Sequence, residues 1–231
     1  MSPKVLADRV IDQFVDAVGN GEFPPEGLVP NEAQLAERWQ VSRLTVREAI
    51  RSLMELGVVE IRRGRGTFVR PPSNWSPLDA RTLAARVRAQ GETDVHGQLL
   101  EARLILESGV AELAAARRRG EHLERLGSAV EEMARALDEP AAFARADLRF
   151  HDVLFDAAGN LFIGAIVRPI HDFIAQARRA TSDDAQARTR ALRAHRTILA
   201  AVAEGDCESA RHAMTVHITE TAALTLGPPG K

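Results

Sequence analysis

The sequence predicts a mainly α-helical protein in two parts, a small N-terminal helical module that ends in a β-hairpin and a larger C-terminal bundle of helices. Apolar residues recur every three to four positions over most of the chain, which is the period of an amphipathic helix. The exception is residues 58–69, where β-rich arms flank a glycine-containing tip. We therefore predict domains at residues 1–71 and 79–227, with a proline-containing linker at 72–78.

The composition fits a folded protein with an uneven distribution of charge. The 231 residues are 45% hydrophobic and 27% charged, with a formal net charge of −2. Residues 1–37 hold two basic and seven acidic side chains, whereas residues 38–70 hold eight arginines and three glutamates. A basic segment in a neutral chain is typical of nucleic-acid binding. The single cysteine, Cys207, excludes an intrachain disulfide, and the absence of a signal-peptide pattern or long apolar run predicts a cytoplasmic protein without membrane association.

Three helices are predicted in the N-terminal module. Apolar residues at helical spacing give the first helix over residues 4–18. Asn31 is a favourable N-cap for the second helix, and Gln34 completes a capping box. Ser42 caps a third helix that ends at Gly57, and the short turn between the second and third helices predicts a helix-turn-helix.

The third predicted helix carries a row of arginines. Arg43, Arg47 and Arg51 recur every four residues, on a side that is separate from the apolar residues. Ser42 and Thr45 add hydroxyl groups near the start of the helix. An α-helix fits the major groove of DNA, where arginine binds guanine or phosphate, so this face is a candidate for DNA contacts.

The segment after this helix predicts a basic hairpin. Its arms are Val58–Ile61 and Thr67–Val69, and its tip carries Arg62, Arg63 and Arg65. Such a tip contacts the DNA backbone or minor groove in winged domains. A helix-turn-helix followed by a basic wing predicts a domain that binds double-stranded DNA.

The stretch "NEAQLAERWQVSRLTVREAIRSLMELGVVEIRRGRGTFV" closely resembles the winged helix-turn-helix of the GntR family of bacterial transcription regulators. The resemblance implies DNA contacts by Ser42, Arg43, Thr45 and Arg47, with Gly66 of the wing entering the minor groove. Family members usually have an arginine directly after the glutamate that is Glu32 here. This chain has Ala33 at that position, so one expected base contact is missing.

Four polar residues lie on apolar stripes of helices in the C-terminal part. In "FARADLRFHDVLFDAAGN", Asp147 and His151 are one helical turn apart on the apolar side, and His195 and His217 occupy apolar stripes of two later helices. His212 falls on the polar side of its helix. Each histidine alone is more simply a hydrogen-bonded core residue, but a shared divalent cation explains all four together. Three imidazoles and one carboxylate suit Zn²⁺, with Ni²⁺ or Mn²⁺ as alternatives.

Residues 98–222 resemble the all-helical effector domain of the FadR-type branch of the GntR family, called FCD. The matching segments are "EARLILESGVAELAA", "DLRFHDVLFDAAGN", "AHRTILAAVAEGD" and "ARHAMTVHI". In metal-containing members the ligands fall at four positions, which here are Asp147, His151, His195 and His217. The resemblance also implies that Arg103 faces the effector pocket, where it would pair with a carboxylate, and that Asn160 lines it. A role for Asn160 as a helix C-cap after Gly159 remains an alternative.

These features predict a homodimeric transcription regulator that is controlled by a small carboxylate or sugar acid bound at the metal. Repression is predicted because it is the more common mode of regulation in the family that the chain resembles. The segment "NWSPLDARTLAAR" resembles the corresponding region of sugar-acid-responsive members. A purely structural metal is an alternative. A metal-dependent hydrolase is disfavoured because no general base stands out beside the ligands. An architectural DNA-binding protein without an effector would not need a buried polar cluster.

Overall fold

The computed structural model describes residues 3–90, 92–181 and 184–226, and these residues form ten α-helices and one β-hairpin. The chain divides into two compact units, Met1–Val95 and His96–Lys231. The elements that begin in the first unit are α1 (Pro3–Gly19), α2 (Glu32–Trp39), α3 (Arg43–Glu55), β1 (Val59–Arg62), β2 (Gly66–Val69), α4 (Ala80–Gln90) and α5 (Glu92–Arg117). The remaining helices are α6 (Gly120–Arg135), α7 (Pro140–Ala158), α8 (Leu161–Thr181), α9 (Ala185–Glu204) and α10 (Cys207–Leu226). The predicted mainly α fold with a two-stranded wing is confirmed.

The predicted caps of the helix-turn-helix are present. Asn31 Oδ1 accepts hydrogen bonds from the N–H groups of Ala33 and Gln34, both at 3.0 Å, and the Gln34 side chain accepts one from Asn31 N–H at 2.9 Å. This capping box stabilises the start of α2 by about 1 kcal/mol. Ser42 Oγ accepts the N–H of Thr45 at 3.1 Å and so fixes the start of α3.

The apolar stripes of α1, α2 and α3 meet the inner face of the hairpin in one core. Members of this core that are no more than 2% exposed include Val10, Phe14, Leu35, Leu53 and Val59. Fully burying one such side chain stabilises the fold by roughly 1.5–3 kcal/mol. The packing holds α3 with its opposite, arginine-bearing side toward solvent.

The hairpin is antiparallel, and residues 26–29 extend its sheet. β1 and β2 pair from Val59 opposite Val69 to Arg62 opposite Gly66, and residues 63–65 form the turn. Val29 N–H donates to the carbonyl of Thr67 at 2.8 Å, while Val69 N–H donates to that of Gly27 at 3.0 Å. The prolines at 24, 25 and 30 favour an irregular connector here and give no strand pattern from sequence alone. This pairing covers the outer edge of β2.

The segment predicted as a linker, residues 72–78, lies within the first unit. Trp75 is only 2% exposed, and its indole N–H donates to the carbonyl of Arg70 at 2.9 Å. The guanidinium of Arg86 on α4 in turn donates to the Trp75 carbonyl at 2.7 Å. The buried indole therefore fixes this segment within the first unit, although its Ser, Asn and Pro content resembles a linker. The division between the compact units falls between Val95 and His96.

The C-terminal part contains only helices among its described residues. Gly159 and Gly205 adopt left-handed conformations, with φ of 61° and 78°, at the ends of α7 and α9, where glycine is the favoured residue. The sequence also favours breaks between helices at Gly91 and around residues 182–183, but these positions lie outside the described residues. None of the described helices is long and apolar enough to cross a membrane.

Candidate functional site

Three helices of the C-terminal unit bring the four predicted metal ligands together. Asp147 and His151 lie on α7, His195 on α9 and His217 on α10. One potential ligand atom from each residue lies within 4.8 Å of all the others. His195 Nε2 is 3.3 Å from His151 Nε2 and 3.2 Å from Asp147 Oδ1. Residues 70 positions apart in sequence thus form one cluster.

The cluster is buried because each histidine replaces an apolar residue on the inner stripe of its helix. His151, His195 and His217 are 1%, 0% and 2% exposed, and the Asp147 side chain is 14% exposed. The Phe150 ring packs edge-on against the His195 ring at 4.7 Å between centroids. Burial, reinforced by His195 and His151, holds the pKa of His217 well below its ordinary value. His217 is therefore neutral at pH 7 and has a lone pair for a metal.

The arrangement fits a divalent cation. Ligand atoms about 2.1 Å from a tetrahedral zinc ion are about 3.4 Å apart. This is close to the separations of 3.3 Å between His195 Nε2 and His151 Nε2 and 3.2 Å between His195 Nε2 and Asp147 Oδ1. The Nδ1 of His195 lies 2.7 Å from the carbonyl of Ala191, which can only accept a hydrogen bond, so the proton belongs on Nδ1. Its Nε2 then presents a lone pair to the Nε2 of His151 and to the Asp147 carboxylate. A shared cation would satisfy these three facing acceptors.

A buried carboxylate that the sequence interpretation missed lies next to the cluster. Glu107 on α5 is 0% exposed, and its Oε2 lies 3.1 Å from His151 Nδ1. Arg103 Nε donates to Glu107 Oε1 at 2.5 Å, and Arg103 is itself 3% exposed. The available signal was the position of Glu107 on the same stripe as the buried Val110 and Ala114.

The predicted arginine row is exposed on α3 of the first unit. Arg43, Arg47 and Arg51 all face solvent. The Arg47 guanidinium donates to both carboxylate oxygens of Glu32 on α2, at 2.8 Å from Nη2 and 3.2 Å from Nε. The hydrogen bond from Arg47 lowers the pKa of Glu32. Both side chains of this ion pair are largely exposed, so it contributes little to the stability of the fold. It does hold the Arg47 guanidinium against Glu32, the first residue of α2.

The two hydroxyl groups predicted to contact DNA are part of the α3 cap. The Oγ of Ser42 lies 2.8 Å from Oγ1 of Thr45, so the hydroxyls share a hydrogen bond. Ser42 is exposed, whereas Thr45 is only 6% exposed. The Ser42 side chain is thus accessible at the N-terminus of α3, whereas the buried Thr45 hydroxyl mainly supports it by hydrogen bonding.

The wing presents arginines around an aromatic ring. The Arg62 guanidinium lies 4.4 Å from the centroid of the Phe68 ring, and that of Arg65 lies 5.8 Å away. Arg63 at the tip is exposed. Gly66 has φ of 111°, and a Cβ there would lie 2.9 Å from the Leu28 side chain, so this position requires glycine.

Comparison with known families matches both units. The family described as "Bacterial regulatory proteins, gntR family" matches residues 6–69, and the FCD domain matches residues 98–220. The chain belongs to the GntR family. Its relatives are transcription regulators, and the matched domains are regulatory ones, so this GntR-family protein is a transcription regulator and not an enzyme.

Several relatives of this GntR-family regulator align over most of its length. The HTH-type transcriptional regulator LutR of Bacillus subtilis is 33% identical over 210 residues, covering 87% of this chain and 93% of the relative. The galactonate operon transcriptional repressor of Escherichia coli is 31% identical over 153 residues, covering 66% and 67%. The solved structure of a Streptococcus agalactiae GntR protein superposes with a TM-score of 0.54 at 27% identity, covering 94% of this chain and 99% of that one.

The two residues predicted to bind an effector occupy different settings in the FCD domain. Arg103 lies beside Glu107, next to the cluster of Asp147 and the three histidines, but its charge is already balanced by Glu107. Asn160 Oδ1 accepts hydrogen bonds from the N–H groups of Phe162 and Ile163 at 3.1 and 3.2 Å. Asn160 therefore caps the N-terminus of α8. The alternative expected from the sequence, a C-cap after Gly159, is wrong in the helix it names, because Gly159 itself is the C-cap of α7.

A groove of about 670 Å³ lies on the outer side of α9 and α10. It is lined by Arg190, Arg193 and His212, among others, and by none of the four clustered residues. His212 is exposed, as its position on the polar side of α10 predicted. The groove is therefore separate from the candidate metal centre.

Proposed function

We propose that this regulator binds a near-palindromic operator as a cytoplasmic homodimer, and that a small carboxylate or sugar acid at a metal in the FCD domain controls operator affinity. The observation that carries this proposal is the convergence of Asp147, His151, His195 and His217 in a buried cluster. Repression is the expected sign of regulation, since one relative is a repressor. Zinc is the expected metal, with nickel or manganese as alternatives.

The exposed arginines support the DNA-binding half of the proposal. In each subunit α3 would enter a major groove, where Arg43, Arg47 and Arg51 contact bases or phosphates. Ser42 and Thr45 would contribute at the start of the helix, and the wing would contact the backbone or minor groove through Arg63, Arg65 and Gly66. Two copies of α3 about 34 Å apart would match half-sites one DNA turn apart.

The donor set supports the effector half of the proposal. Asp147 and the three histidines would hold the cation, which when bound would attract a carboxylate oxygen of the effector as a Lewis acid. Arg103 would share its guanidinium between Glu107 and the same carboxylate. The sugar-acid class is favoured by the similarity to a repressor of the galactonate operon. Asn160 would contribute to the pocket only through atoms that its cap leaves accessible.

A purely structural metal is the second candidate. The three histidines are almost fully buried, as in a closed site that stabilises helices without sensing a ligand. The partial exposure of the Asp147 side chain favours the sensor, because a ligand can approach the cluster from that side.

The test uses an operator selected from random double-stranded DNA by the zinc-loaded protein. Operator affinity is then measured by fluorescence anisotropy while galactonate, lactate or acetate is titrated. We expect one acid to change the affinity by 5- to 150-fold, a coupling of about 1–3 kcal/mol, and to have no effect on protein stripped with a chelator. If none of the acids changes the operator affinity or the melting temperature of the zinc-loaded protein, the result would support a purely structural metal instead. Chemical conversion of an acid would contradict the regulator mechanism.

A further inference from the structure

Glu107 lies in an environment where a carboxylate is costly unless other groups hold it. It is 0% exposed and sits on α5 among apolar residues of the FCD core. Arg103, four residues earlier on the same helix, donates from Nε to Oε1 at 2.5 Å and lies with Nη2 3.5 Å from Oε2. The arginine balances the charge of Glu107 and restricts its rotation.

The second oxygen of Glu107 faces one ring nitrogen of His151, and the metal cluster faces the other. Glu107 Oε2 lies 3.1 Å from His151 Nδ1, whereas His151 Nε2 lies 3.3 Å from His195 Nε2. An ionised carboxylate accepts hydrogen bonds but cannot donate them. The carboxylate therefore favours the tautomer with the proton on Nδ1, which leaves the Nε2 lone pair directed into the cluster.

His195 is oriented in the same way by a different acceptor. Its Nδ1 lies 2.7 Å from the carbonyl of Ala191, one turn earlier on α9. The orientation of His195 is thus built into its own helix, while that of His151 on α7 depends on a side chain from α5. This difference makes Glu107 a separate requirement of the site.

We propose that Glu107 is a positioning residue of the metal centre, which holds His151 with Nε2 toward the cation and is itself held by Arg103. The inference rests on the proposed function, because it requires that the cluster binds a metal. It also gives Arg103 a role before any effector arrives. A carboxylate that binds Arg103 would act on the metal ligand His151 through Glu107.

The experiment measures zinc affinity of the full chain by competition with a chromophoric chelator. Glu107→Gln keeps the shape of the side chain but replaces one carboxylate oxygen with an NH₂ group. The amide can no longer accept a hydrogen bond from Arg103 with one oxygen and from His151 with the other, so we expect zinc affinity to fall about 10- to 100-fold. The matched control is Glu112→Gln, on the same helix, which loses an exposed ion pair with Arg211 and should bind zinc within twofold of the wild type. Equal zinc affinity of Glu107→Gln and the wild type would overturn the proposal.

A second measurement needs no variant and decides the question if Glu107→Gln does not fold. A long-range ¹H–¹⁵N spectrum of the zinc-loaded wild type should show His151 with its proton on Nδ1 and zinc on Nε2. Zinc on Nδ1 of His151 would overturn the inference while leaving the proposed function intact. If the wild type itself takes up no zinc, nickel or manganese, both the proposed sensor and the role of Glu107 fall.

Discussion

Replacing His195 with alanine should remove most of the stabilisation that zinc gives to the protein. His195 is central to the cluster and to the proposed metal site, since its Nε2 lies within 3.3 Å of both His151 Nε2 and Asp147 Oδ1. Structural zinc sites with four ligands contribute about 10–16 kcal/mol of binding free energy, or roughly 2.5–4 kcal/mol for each ligand. Loss of one ligand should therefore weaken zinc binding by about 100-fold or more.

The expected change in melting temperature follows from this affinity. At free zinc of about 100 times the wild-type Kd, zinc stabilises the wild type by about 2.7 kcal/mol. A 100-fold weaker site at the same free zinc gives only about 0.4 kcal/mol. The difference of about 2.3 kcal/mol corresponds to about 5–9 °C for a protein of this size.

The assay is differential scanning fluorimetry of each variant with buffered free zinc and with chelator. Comparing the two conditions within one variant cancels the cavity that the substitution leaves beside Phe150. The matched control is His212→Ala, because His212 is an exposed histidine on the outer side of α9 and α10. A zinc-dependent shift in His195→Ala as large as that of the wild type would refute the reasoning, as would loss of the shift in His212→Ala.

Three further predictions concern the DNA-binding unit. Asn31→Ala removes the capping box of α2 and should lower the free energy of unfolding by about 1 kcal/mol, measured by urea denaturation; an unchanged midpoint would contradict this. Gly57→Ala should lower the free energy of unfolding by more than about 2 kcal/mol in the same assay, because φ is 72° and the new Cβ would lie 2.3 Å from the carbonyl oxygen of Asn74. A decrease below about 0.5 kcal/mol, which is typical of a surface substitution, would be inconsistent with that geometry. Arg51→Ala should weaken operator binding without changing the melting temperature, and if Arg51 contacts one phosphate, the slope of log Kd against log salt concentration should fall by about 0.9. Arg145→Ala, at an exposed position on α7, is the control and should change neither operator affinity nor this slope.

The sequence predicted those features that depend on local periodicity. The capping box at Asn31 and the inward-facing positions of His195 and His217 follow from spacing within one helix, and the structure has them as expected. Features that depend on contacts between distant segments were missed. Trp75 appeared to lie in a linker because its burial depends on α4, and Glu107 was overlooked because its partner His151 lies on another helix.

The pairing of residues 26–29 with β2 was missed for a related reason. Residues 26–29 lie between prolines and are too few to give a strand pattern. The pairing is defined only by backbone hydrogen bonds, which join Gly27 to Val69 and Val29 to Thr67. Four polar residues on apolar stripes were easier to interpret, because each was an exception to the pattern of its own helix.

The most direct test of the account is a native mass spectrum of the full chain purified with zinc present. We predict one zinc ion for each chain in the wild type and in His212→Ala, and loss of that ion in His195→Ala. A wild-type chain that is folded but carries no metal under these conditions, or after exchange with nickel or manganese, would contradict the central claim that three helices jointly hold one cation.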